Sequence, residues 1–132
     1  MSFLLDTDIC SAYLKGNSAL YNRFIQHGGR LHLTAVSLGE LFTWALRSGT
    51  SPSRLRDVLG LLPLVHFHEV NLDVARRFGE VDADLLDRGI SVPDVDLLNA
   101  AVALLHGLTM VTHNTQDYSA VTGLTLVDWL AP

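Results

Sequence analysis

Asp6 stands directly after the apolar run Phe3-Leu4-Leu5, which reads as a buried strand. That places it at a strand's carboxyl end, where open parallel sheets put their ligand sites. Asx residues also cap helices, and a helix begins near Ile9, so Asp8 is assigned to the cap and Asp6 to the site. Asp96 makes a second case. Leu97, Leu98, Ala100, Ala101, Val102, Leu104 and Leu105 cover most of the circumference of a helix over 93–106. The strip left over is Asp96, Asn99 and Ala103, at spacings i, i+3 and i+7. An ionised carboxylate on a largely buried helix costs several kcal/mol unless it is paired or binds a metal. No Lys or Arg lies nearby in sequence, which favours a metal over an ion pair. Asp94 points roughly 160° away from Asp96 at ~100° per residue. With Ser91 and Pro93 it fits a capping box that starts the helix.

Glu40 taken alone is a capping residue, because Ser37-Leu-Gly-Glu40 has capping-box spacing and Glu40 lies at the edge of its helix's apolar stripe. Its candidacy rests on the company of Asp6 and Asp96. The segment THNTQDY, residues 112–118, follows the apolar run LTMV and puts Thr112, Asn114 and Asp117 at or just beyond another strand end, although Asn and Asp also form turns. Hard oxygen donors of this kind suit Mg²⁺ or Mn²⁺, and carboxylates gathered from several strand and helix ends are what metal-assisted phosphodiester chemistry requires. The six histidines offer a rival acid–base chemistry. His66 and His68 alternate on one strand, His32 sits in another, and His27, His106 and His113 flank helix ends or loops without His-x-x-x-His spacing. They read mainly as structural or surface residues.

The elements that must position these groups alternate. Short apolar runs at 3–5, 31–33, 64–67, 108–111 and 124–127 are of strand length. Helix-period segments at 35–48, 71–88 and 93–106 lie between them, with shorter candidates at 8–15, 18–27 and 52–62. Gly49, Gly89 and Gly107 fall just past the ends of the three long helices, as C-terminal caps do. The alternation predicts an α/β fold with a parallel sheet and helices on both faces.

With 132 residues, 48% of them hydrophobic, and no repeat or linker-like tract, the chain is expected to be a single domain over 1–132. One cysteine, Cys10, excludes an internal disulfide and a Cys-x-x-Cys zinc framework and fits a reducing cytoplasm. The N-terminus MSFLLDTDIC does not read as a signal peptide, and no stretch approaches the ~20 apolar residues of a membrane span. The net charge of −5 argues against holding nucleic acid by bulk electrostatics, unless acids concentrate where a bound cation inverts the local sign.

Taken together, FLLDTDI, SLGEL at 37–41, PDVDLLNAA at 93–101, MVTHNTQDY at 110–118 and GLTLVDWL at 123–130 resemble the PIN-domain family nearly end to end. Within it, the likeness is to the VapC toxins of bacterial toxin–antitoxin pairs. The resemblance implies a three-layer α/β/α sandwich in which Asp6, Glu40 and Asp96 match the family's principal acids and hold Mg²⁺ or Mn²⁺. It implies RNA as substrate, a homodimer, and a cognate antitoxin as partner. The usual Asn after Asp-Thr is Asp8 here, and the fourth acidic position falls on Asn114 or Asp117.

Two other classes fit part of the pattern. Asp-x-Asp after a hydrophobic strand is how haloacid-dehalogenase-like phosphatases arrange nucleophile and acid, but Lys15, the only lysine, lies too close to Asp6 to hold a phosphoryl group there. A non-catalytic PIN-like binding module would keep the fold without the chemistry, against which stand three intact acids.

Overall fold

The computed structural model describes residues 1–132. Its centre is a sheet of five strands, all paired in parallel. The elements run β1 (Phe3–Leu5), α1 (Thr7–Leu14), α2 (Ser18–Gln26), β2 (Leu31–Thr34), α3 (Ala35–Leu46), α4 (Ser53–Leu61), β3 (His66–His68), α5 (Leu72–Asp87), α6 (Asp94–His106), β4 (Thr109–Val111), α7 (Thr115–Tyr118) and β5 (Leu126–Val127). Strand order is β3-β2-β1-β4-β5.

Strand alternation divides the apolar residues between two helical layers. Phe3, Leu5, Leu31, Leu33 and Val111 bury against Ile9, Leu20, Phe24, Leu41 and Val58 of α1 to α4. Leu4 and Met110, one position out of phase, bury against Val74, Leu85, Leu97 and Ala101 of α5 and α6. The result is the α/β/α sandwich predicted from sequence. From β1 the chain moves out to β2 and β3, then returns to lay β4 on β1's other side. The carboxyl ends of β1 and β4 therefore flank a topological switch point, the crevice in which such sheets bind ligands.

Several local expectations are corrected. The strand placed at 64–67 lies instead at His66–His68, because Pro63 opens a 3-10 turn over Leu62–Leu64 that prolongs α4. Asp8 is not the cap of α1. Asp6 is, its carboxylate accepting from Thr7 N at 2.9 Å. Neither expected capping box forms: Thr34 caps α3 by accepting from Ser37 N, and Pro93 occupies the cap position of α6, where no side chain can bond. Gly107 does take the left-handed C-cap conformation, at φ 65°. Residues 115–118, just beyond the end of β4, form a single helical turn.

Candidate functional site

Strand ends bring the candidate residues together. Asp6 leaves β1, Thr34 ends β2 with Ser37 in the first turn of α3 behind it, and Thr112 leaves β4, while α6 crosses above with Asp96 and Asn99 on one strip. Asp6 is 6% exposed, and both of its carboxylate oxygens accept hydrogen bonds. Oδ1 accepts from Thr7 N at 2.9 Å and Asn99 Nδ2 at 3.3 Å, and Oδ2 accepts from Thr112 Oγ1 at 2.9 Å. The Tyr118 hydroxyl lies 3.1 Å from Asp6 Oδ2 and 3.2 Å from Asp96 Oδ1, so it bridges the two acids, donating its one proton to either. Burial first, then the charges of Asp6 and Asp96, push the Tyr118 phenol well above its ordinary range, so it remains a donor.

Asn99 holds this arrangement from beneath. It has no exposed surface, and each end of its amide is used. Oδ1 accepts from Thr34 Oγ1 at 2.6 Å, while Nδ2 donates to Ser37 Oγ at 3.0 Å as well as to Asp6. A buried amide is costly unless satisfied in this way. Thr34 thus caps α3 and orients Asn99 with the same hydroxyl.

Glu40 projects from α3 and is exposed, with Oε1 accepting from Thr7 Oγ1 at 2.5 Å. Asp96 is half-buried, and its carboxyl is pushed up to about 6 from an ordinary 3.8. Burial is the main cause, the negative charge of Asp6 the next, and Asp117 and Glu40 add to it against the lowering effect of the Tyr118 bond. The ion pairs of the chain join Arg77 to Glu80, Arg88 to Asp84 and His113 to Asp128. None supplies a cation to Asp6, Glu40, Asp96 or Asp117.

Asp117, exposed in the first turn of α7, reaches this place through its charge on Asp96. Asn114 begins α7 with no side-chain cap bond, and its N–H donates to Thr112 Oγ1 at 3.1 Å. Thr112 therefore ties the end of β4 to Asp6. Asp94 is exposed and separate, as the helical wheel indicates. Asp8 instead accepts from His113 N at 3.0 Å, fastening α1 to the segment after β4. Its Oδ1 is buried without a partner, and burial, then Asp6, raises its pKa. Thr7, Thr34, Ser37, Asn99 and Tyr118 were not selected from sequence as site residues. Asn99 carried a signal, an amide three residues from Asp96 on a helix otherwise apolar; Thr7 and Thr34 carried none.

The donors here are oxygens throughout, with negative charge uncompensated by any basic side chain, and that set fits a hard divalent cation. No three His, Cys, Asp or Glu side chains stand already converged around one point. None of the chain's three pockets is lined by Asp6, Glu40 or Asp96. The largest groove, about 470 Å³, lies elsewhere, between Tyr13, Tyr21, Phe24, Ile25, Leu31 and Leu64.

A family model described as PIN domain matches residues 3–124. The tRNA(fMet)-specific endonuclease VapC of Shigella flexneri is 30% identical over 130 residues, covering 98% of each chain. Ribonuclease VapC2 of Haemophilus influenzae is 26% identical, covering 98% of this chain and 99% of that one. Among solved structures, DNA-bound VapBC from Salmonella typhimurium superimposes with a TM-score of 0.92 at 26% identity, covering 98% of both chains. VapBC2 from Rickettsia felis, bound to a DNA fragment from its promoter, gives 0.90 at 22% identity, covering 98% of this chain and 99% of that one, a likeness of fold.

Proposed function

Since the chain belongs to the PIN-domain family, we propose that it is an endoribonuclease, the toxin of a toxin–antitoxin pair, hydrolysing RNA phosphodiester bonds at Asp6, Glu40 and Asp96 with Mg²⁺ or Mn²⁺. The observation that carries the mechanism is the convergence of Asp6 and Asp96 on the Tyr118 hydroxyl, at 3.1 and 3.2 Å, with no basic side chain paired to either acid, to Glu40 or to Asp117. Asp6, Glu40, Asp96 and Asp117 would hold the ion. When bound, it supplies a Lewis acid that lowers the pKa of an attacking water and offsets charge developing on the phosphate. The protein's own work is orientation. Asn99, Thr112 and the Thr7 amide lock the Asp6 carboxylate, Tyr118 spaces Asp96 from it, and Thr7 anchors Glu40. Asn114, exposed with no cap bond, would donate to a phosphate oxygen.

Glu40 and Asp117 are exposed beside the half-buried Asp96, and an acidic chain of net charge −5 would meet a phosphate backbone there through the cation rather than through a basic groove. Two relatives are named for tRNA(fMet) cleavage, which makes transfer RNA the first substrate to offer. The antitoxin is the partner proposed for the apolar groove beside α1 and α2, where Tyr21, Ile25 and Leu64 are exposed. A second copy would cover Leu72 and Leu86, exposed four turns apart on α5. Against a phosphatase, Lys15 closes α1 and pairs with nothing at the site.

The deciding assay is cleavage of total RNA and of purified tRNA by the antitoxin-free protein in Mg²⁺ or Mn²⁺, with EDTA and Asp96→Asn in parallel. Discrete products that require both the metal and Asp96 support the reading. Folded protein that cuts nothing under any metal condition would turn it into a non-catalytic binding module.

A further inference from the structure

The carboxylate site uses none of the chain's six histidines, yet four of them meet at one place. His32 on β2 is in register with His66 on β3, and His68 lies two residues on, so the three share a face of the sheet. It is the face opposite Leu31 and Leu33, beneath α6, whose last residue is His106. Ring centroids are 4.8 Å apart for His32 and His66, 5.0 Å for His32 and His68, and 4.5 Å for His68 and His106. His32 Nδ1 and His68 Nε2 approach to 2.7 Å. His66 Nε2 donates to the Gly29 carbonyl at 2.8 Å.

Burial lowers the pKa of His32 to about 4 and lowers that of His68, with the neighbouring imidazoles adding to both, so these rings are neutral at pH 7. No carboxylate is bonded to any of the four; the one His–Asp pair is His113 with Asp128. Neutral imidazoles without carboxylates are the donor set of borderline transition metals, not of Mg²⁺.

We infer that His32, His68 and His106 form a second cation site, separate from the carboxylates, that takes a borderline divalent metal such as Zn²⁺. The three are not already arrayed around one point. The seat is the His32–His68 pair, whose nitrogens face each other at 2.7 Å; to share an ion at Zn–N distances of about 2.0–2.1 Å they give up that hydrogen bond, part and turn their rings toward it. Exposed at its helix end, His106 completes the set by a turn of its ring. The bound ion ties β2, the edge strand β3 and the end of α6 together, so it braces the sheet edge that has no neighbour of its own. The inference is independent of the nuclease reading.

The test is calorimetric titration of the full chain with Zn²⁺ in saturating Mg²⁺, for wild type, Asp96→Asn, His68→Gln and His106→Gln, each checked by circular dichroism. One Zn²⁺ per chain is expected in wild type and in Asp96→Asn. His68→Gln and His106→Gln should each weaken it by about tenfold or more, at least what the loss of an outer-shell partner costs. Absence of binding in wild type, or binding that both histidine variants leave intact, overturns the site. The His106 variant keeps the test decisive if the half-buried His68 proves necessary for folding.

Discussion

Removing the charge of Asp96 should have two opposite effects. Asp96→Asn is expected to abolish RNA cleavage while the metal-free protein becomes more stable at neutral pH. The folded chain holds the Asp96 proton more tightly than the unfolded chain does, because its carboxyl is pushed up to about 6 from 3.8. That contribution favours folding fully below about pH 3.8 and is lost as the pH rises through about 6. In EDTA, wild type should therefore lose ~1 kcal/mol relative to Asp96→Asn between pH 4 and 7, once solvent screening of this half-exposed group is allowed for. Paired urea melts at the two pH values check the sign, and equal stability at both would contradict it. Asn99 calls for the reverse outcome. Asn99→Ala leaves Thr34, Ser37 and Asp6 short of buried partners and should cost about 2–3 kcal/mol, with cleavage falling because Asp6 loses a donor.

At the scale of elements, the long helices fall close to where their periodicity puts them, and the deviations have local causes. Apolar spacing places α5 and α6 within a residue of the predicted ends. Caps were harder to place, since which of several Ser, Thr and Asp residues turns toward the free amides depends on where the preceding strand ends. Thr34 outcompetes Ser37 as the cap of α3 because β2 runs one residue further than its apolar run. Pro63 likewise pushes β3 past the apolar Leu64-Val65. Gly107 offers a clean test away from the acids. A side chain at its φ of 65° is strained although space is open around it. Gly107→Ala should cost about 1 kcal/mol in urea denaturation with specific cleavage activity unchanged. A matching fall in activity would mean that the end of α6 also shapes the site.

For the whole molecule, the balance of charge sets how the protein responds to metal. Mg²⁺ or Mn²⁺ that binds only the folded chain should raise its stability by about 2.7 kcal/mol at a hundred times its Kd. Thermal melts across a metal titration should show that rise in wild type and lose it in Asp96→Asn. A rise unaltered by that substitution would move the ion away from the acids. No helix is long and apolar enough to cross a membrane, in keeping with the expectation from hydropathy. By itself, the sequence determined the alternation of strands and helices and the α/β/α layering, because period and strand length are local properties. It also marked Asp6 at a strand end and Asp96 on a largely apolar helix, whereas Glu40, midway along α3, was singled out only by the company of those two and by resemblance. Only the tertiary structure decided which groups converge. Asn99 and Tyr118 became partners of Asp6 across 93 and 112 residues, and His32, His68 and His106 came into stacking distance from three separate elements. Such contacts are set by strand order and by the crossing of α6 over the sheet, and neither leaves a spacing in the chain that periodicity can register.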